Sequence, residues 1–143
     1  MTVLILTEDQ QLLRDSAREF VEGRYPVSRF RDFRRSDQRT DPALWRELIE
    51  LGWPALPLPE AQDGLGLGLA DLVVVMEEAG RHLLPTPMIS TWLASQLHPS
   101  PKLAEGKIVA LAWREHVRLP QLQHCNTQHV RGTLTGHKRA VLD

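Results

Sequence analysis

The residues with chemically useful types fall into three groups. His124, Cys125, His129 and His137 lie within fourteen positions of one another. A structural zinc site needs four well-spaced ligands, and neither a C-x-x-C nor an H-x-x-x-H pair occurs here, so metal binding is not expected. Cys125 has no cap or glycine turn beside it that would place it at a helix N-terminus, the setting that makes a thiolate reactive. Glu77 and Glu78 could serve as acid and base. Neighbours on a helix point about 100° apart and cannot address one reacting atom, so a solvated helix end is expected. Gly64, Gly66 and Gly68 invite a phosphate-loop reading. The G-x-G-x-x-G pattern, however, needs glycine where Leu69 or Asp71 stands. The glycines are therefore expected to turn the chain. No nucleophile elbow, H-E-x-x-H or P-loop pattern occurs.

The composition narrows the partners. Of 143 residues, 17 are Lys or Arg and 18 are Asp or Glu, a net charge of −1. Nucleic acid is not an expected partner, since neutralising phosphates needs a basic excess. Arg24, Arg29, Arg31, Arg34, Arg35 and Arg39 form a basic stretch. In a near-neutral chain this is read as a solvated helix face or a loop between helices rather than an anion site. Hydrophobic residues make up 42%, as in a globular protein, and the single cysteine suits the reducing cytosol. Residues 1–11 carry no basic lead of a signal peptide, and the longest apolar run, Leu72 to Met76, is too short to span a membrane.

Helices should position most of these residues. Thr7 with Gln10 three residues later makes a capping box. Leu12, Leu13, Ala17, Phe20 and Val21 then form an apolar face, and Pro26 must end or kink that helix. Asp41-Pro42 starts a second helix, with Leu44, Trp45, Leu48 and Ile49 inward and Gly52 closing it. Trp53 to Pro59, with alternate prolines, is expected to be extended and to carry Trp53, Leu56 and Leu58 inward. The glycine turn leads into a helix over 70–83. Leu72 to Met76 leave it no polar face, so burial on several sides is expected. Met88 to Leu97 makes a further helix, with Ile89, Trp92, Leu93 and Leu97 as its apolar residues.

Beyond this point the pattern changes. Lys102 to Gly106 reads as a polar linker and marks the boundary between two domains, 1–106 and 107–143. Ile108 to Trp113 looks like a strand. A turn at Thr135-Gly136-His137 is expected between two short strands in 133–142. So few strands cannot satisfy both edges. The residues alone give a mainly α fold: a helical N-terminal domain followed by an incomplete β segment.

Four stretches also carry a family resemblance. Leu6 to Leu13 is similar to the first helix of the acyl-CoA dehydrogenases. Trp45 to Trp53 fits their W-x-x-L-x-x-L-G-W helix end. Leu58-Pro59-Glu60 with Gly64 to Leu67 resembles their P-E-x-x-G-G-x-G-L turn. Val75 to Arg81 resembles their V-x-E-E-L-G-R helix. These four, in that order and spacing, are more specific than any one of them. The resemblance implies a helical N-terminal domain, a β-barrel-like middle domain and a C-terminal helical bundle. It also implies FAD as cofactor and an acyl-CoA substrate. A glutamate takes the α-proton and the flavin takes the β-hydride.

Ala110 to Glu115 resembles the first middle-domain strand, so Leu111, Trp113 and Arg114 fall on flavin-contacting positions. Arg114 stands where the family has threonine, Glu115 matches the motif glutamate, and His116 replaces the proline. The Gly-Ser-Asp that should follow is absent. Gly132 to Leu142 resembles the family's G-x-x-L-N-G-x-K-x-x-V strand pair. No residue matches the family's catalytic base. The resemblance therefore implies a truncated dehydrogenase that is inactive alone, part of a homo- or hetero-oligomer. A non-catalytic partner subunit and a free-standing helical interaction domain are the alternatives.

Overall fold

The computed structural model describes residues 5–115, 125–139 and 141. The helical part is built on two parallel helices. α1 (Glu8–Arg24) starts at the expected box: Gln10 N donates to Thr7 Oγ1 and Thr7 N donates to Gln10 Oε1, both at 3.2 Å. It runs through Gly23 and stops before Pro26. α4 (Leu69–Arg81) lies beside it. Gln10 Nε2 donates to Asp71 Oδ1 at 2.9 Å, and Arg18 reaches Glu78 about two turns later, so the two helices run in the same direction. Asp71 Oδ2 also accepts from Gly68 N at 3.0 Å, satisfying one of the orphan amides at the start of α4. The helix assignment for this Val-rich run holds.

Between them lie α2 (Val27–Arg35) and α3 (Pro42–Glu50). The arginine-rich stretch forms most of α2, which has no buried residue among those described. Arg29 is the exception to solvation. It packs 5.0 Å from the Tyr25 ring centroid and donates to Asp41 Oδ2 at 3.2 Å. Asp41 caps α3 through the amides of Ala43 and Leu44, with Pro42 in the first turn, and Gly52 adopts φ +73° after the helix. Trp53-Pro54-Ala55 is not extended as expected: it is a 3-10 turn. Proline fits there because the first turn needs no amide donor. Trp53, Leu56 and Leu58 still point inward.

Gly64 to Leu67 returns along this segment, with Gly66 N donating to Leu58 O at 2.7 Å and Leu67 N to Leu56 O at 2.9 Å. α5 (Met88–Leu97) is rotated from the face its apolar residues suggest. Trp92 Nε1 donates to Trp53 O at 2.8 Å. That bond turns Thr91 and Ser95 inward, where their hydroxyls donate to the Pro87 and Trp92 carbonyls. Ile89, Leu93 and Leu97 are left exposed. The main core joins Ala17, Val21, Leu44, Leu48, Val75 and Trp92 from four helices, with Phe20 edge-on to Trp53 at 5.5 Å.

Lys102 to Gly106 is no simple linker. α6 (Pro101–Ala104) buries Leu103 against Ala55 and Leu58, and Trp45 Nε1 donates to Gly106 O at 2.8 Å. Ile108 to Trp113 forms no paired strand. The strands present among the described residues are β1 (Gln128–Val130) and β2 (Thr133–Thr135), antiparallel with His129 opposite Leu134. The reversal sits at Arg131-Gly132, both with positive φ, as a tight two-residue hairpin requires. The expected turn at 135–137 is not where the strands join. The fold is thus mainly α with a short β segment after it.

Candidate functional site

Glu115 organises the residues that follow the helices. Its carboxylate accepts from Lys138 Nζ at 2.8 Å, Thr127 Oγ1 at 2.6 Å, and the amides of Asn126 and Thr127 at 2.6 and 2.9 Å. Cys125 Sγ donates to it at 3.3 Å. The Lys138 bond, then Thr127 and the Asn126 amide, hold this carboxyl well below the usual carboxylate range, because every one of them favours the anion. Glu115 in turn raises Lys138. Arg139 N donates to Arg114 O at 2.8 Å, so the chain just before Glu115 is tied to the chain just after β2.

This fixes the surroundings of Leu111, Trp113 and Arg114. Leu111 is half-buried. Trp113 is 45% exposed, and the Arg114 guanidinium lies 5.9 Å from its ring centroid. An exposed indole face beside a guanidinium fits part of what a flavin needs: a surface to stack on and a cation to offset the negative charge the ring gains on reduction. Motif matching covered Glu115 and Lys138 separately, but neither their pairing nor the part of Asn126 and Thr127. Thr127, Asn126 and Lys138 are 11 to 23 positions away, and no periodicity links them. His116 and His124 lie outside the described residues. Among the described residues, no group of three or more His, Cys, Asp or Glu side chains could hold a metal ion.

The Glu77-Glu78 expectation needs correction. Glu77 is exposed and accepts from Arg81 at 2.6 Å. Glu78 is 1% exposed and takes a two-pronged bond from Arg18, at 2.9 and 3.2 Å. It follows Val74 and Val75 by four and three residues, so helical spacing puts it on their inward face. Its pairing raises the Arg18 guanidinium, through the hydrogen bond first and the charge second. The carboxylate is already fully engaged, a structural tie between α1 and α4.

The expectation that α4 is buried on several sides is also only half met. Leu72 and Val75 are buried, but Val73 is exposed. Val73, Leu69 and Met76 face Ile89, Leu93 and Gln96 of α5 across a groove of about 260 Å3, almost wholly apolar.

Comparison with known proteins gives these features a context. Residues 7–106 match the family described as acyl-CoA dehydrogenase, N-terminal domain. The acyl-CoA dehydrogenase IpdE2 of Mycolicibacterium smegmatis is 38% identical over 109 residues, covering 71% of this chain and 35% of that protein. IpdE2 of Mycobacterium tuberculosis is 39% identical over 88 residues, covering 61% and 28%. The chain thus spans about a third of the length of these curated relatives. Among solved structures, a variant of the Tcur3481-Tcur3483 steroid ACAD superposes with a TM-score of 0.78 at 31% identity, over 94% of this chain and 41% of that one. The ChsE4-ChsE5 complex from Mycobacterium tuberculosis gives 0.79 at 24% identity, over 98% and 42%, which speaks to the fold alone.

Proposed function

Because the chain belongs to the acyl-CoA dehydrogenase family, we propose that it supplies the helical domain, 1–106, and the first flavin-facing segment of an FAD-dependent acyl-CoA dehydrogenase. The carrying observation is continuity. The family match ends at Gly106, and an exposed Trp113 beside Arg114 follows within eight residues, held in place by Glu115. In this reading Leu111, Trp113 and Arg114 contact the flavin, which when bound provides the acceptor for the hydride. Glu115 touches neither flavin nor substrate; it fixes the backbone that presents Trp113. No residue matches the family's base, so the chain does not dehydrogenate acyl-CoA by itself. It works in the cytosol as part of an oligomer.

A second reading is favoured by one observation. Both structural neighbours are named as two-component proteins, and the groove between α4 and α5 offers an apolar face. In this reading the chain is a non-catalytic subunit that seats that face on a complete dehydrogenase, one acting on a steroid-type acyl-CoA as in the neighbour's name. A free-standing helical interaction domain is the remaining alternative.

Purification tests these readings. The chain alone is expected to be colourless and inactive with acyl-CoA and an artificial electron acceptor. A yellow, active preparation overturns the proposal. Mixed with a relative's polypeptide lacking its own first domain, it is expected to restore flavin retention. Trp113→Ala with Arg114→Ala should then weaken that retention by about tenfold, some 1.4 kcal/mol. Stable association with a complete dehydrogenase instead supports the subunit reading.

A further inference from the structure

The corner between α5 and α6 holds another groove, of about 380 Å3. Its floor is Ala94, Leu103 and Val109. Its rim is His98, Ser100, Lys102 and Lys107. The way α6 ends explains the rim. Gly106 adopts φ +87°, Lys107 N donates to Lys102 O at 2.9 Å, and Gly106 N donates to Leu103 O at 3.0 Å. This helix closure sets the residue after the glycine over the residue five before it, a pair of positions that commonly makes an apolar contact. Here both are lysines. Both are exposed, and an anion lying between two such like charges is attracted by both. Among the described residues, neither has an ion-pair or side-chain hydrogen-bond partner, and Glu105 between them pairs with neither. Ser100 precedes the first turn of α6, yet its hydroxyl makes no capping bond. His98, at the end of α5, adds another potential donor.

We propose that this groove binds a phosphate group carried on an apolar or aromatic body. The two ammoniums meet the dianion as point charges, and the Ser100 hydroxyl and the His98 ring supply directed bonds. Ala94, Leu103 and Val109 receive the body. A bare inorganic anion would leave that floor unused. A carboxylate would offer the two lysines one negative charge instead of two. The site is built from residues 94–109 alone and stands whether or not the chain takes part in flavin chemistry.

Amide shifts of the full chain, titrated at low salt with phenyl phosphate and separately with inorganic phosphate, test the proposal. Saturable shifts are expected at Ser100, Lys102 and Lys107, with phenyl phosphate binding about tenfold tighter than inorganic phosphate. Lys102→Gln with Lys107→Gln should weaken phenyl phosphate by about tenfold or more, whereas the paired arginine variant should retain it. The indole signals of Trp45 and Trp92 report whether each variant keeps its fold. If the glutamine pair loses it, binding by the unaltered chain must fall steeply as salt rises. Absence of saturable shifts, undiminished binding in a folded glutamine variant, or salt-independent binding overturns the proposal. Equal affinity for the two phosphates overturns the part assigned to the apolar floor.

Discussion

Glu115 is the residue whose contacts most clearly set a pH dependence. Its carboxyl is held below the ordinary range chiefly by Lys138, then by Thr127 and the Asn126 amide. A carboxyl depressed in the folded state adds stability above its ordinary value, 4.5, and that contribution drains away as the pH falls below it. Lys138 is shifted upward, so its share is complete below the ordinary lysine value and is lost only in strong alkali. Protection of the Asn126 and Thr127 amides should therefore be level across neutral pH and fall in acid by up to about tenfold per pH unit. Glu115→Gln should abolish the acid step and lower the plateau; an unchanged profile would refute the account. At this scale the sequence is unevenly legible. The Asp41 cap and the Thr7–Gln10 box lie within three residues of their targets, so they can be read directly. Glu78 was partly legible, because its spacing from Val74 and Val75 points it inward. Its partner Arg18 lies on another helix, 60 positions away, and only tertiary packing reveals that the burial is compensated.

Elements followed local rules until a side chain on one had to satisfy a backbone group on another. Proline counting suggested an extended run after Gly52. The chain turns there instead, because Pro54 costs no hydrogen bond in a first turn and the turn buries Trp53. α5 shows the same limit. Its apolar residues suggest one inward face, and the Trp92–Trp53 bond selects another. The glycine turn was legible as a turn, but the separate demands of its glycines were not. A Cβ on Gly64 would collide with the Leu58 carbonyl, which is itself engaged by Gly66 N and cannot retreat. Gly66 has open space but needs φ +62°. Gly64→Ala should therefore cost about 2–3 kcal/mol through overpacking. Gly66→Ala should cost about 1–2 kcal/mol through its left-handed backbone alone. Urea denaturation measures both. In addition, Gly66→Asn should recover much of the loss, since asparagine tolerates that conformation, whereas Gly64→Asn should not. Equal effects at the two positions would show that the contact with Leu58 does not constrain the turn.

For the whole molecule, helical periodicity gave the class and the helical body, since most of the apolar stripes find their partners within the first 106 residues. The later part was less legible. Strand propensity in Ile108 to Trp113 is not matched by a paired neighbour, and the hairpin that forms has exposed residues throughout. The apolar face on α4 and α5 is the other whole-molecule feature. A stripe of Leu, Val and Ile at this density belongs in a core, yet Val73, Ile89 and Leu93 are about half exposed along the groove. Such an apolar surface is a candidate contact for a partner, which solution measurements can test. If a partner surface or further chain covers it in the working assembly, the isolated chain should bind an apolar fluorescent dye and self-associate. Leu93→Lys places a charge at the rim, where the lysine stem can lie along the groove and the ammonium can reach water. Such a change at a half-exposed site should alter stability by no more than about 0.5–1 kcal/mol. It should nevertheless lower dye binding and self-association severalfold, and block co-purification with a larger dehydrogenase. A variant that still co-purifies normally would exclude this face as the contact. One that unfolds would show that Leu93 belongs to the core after all.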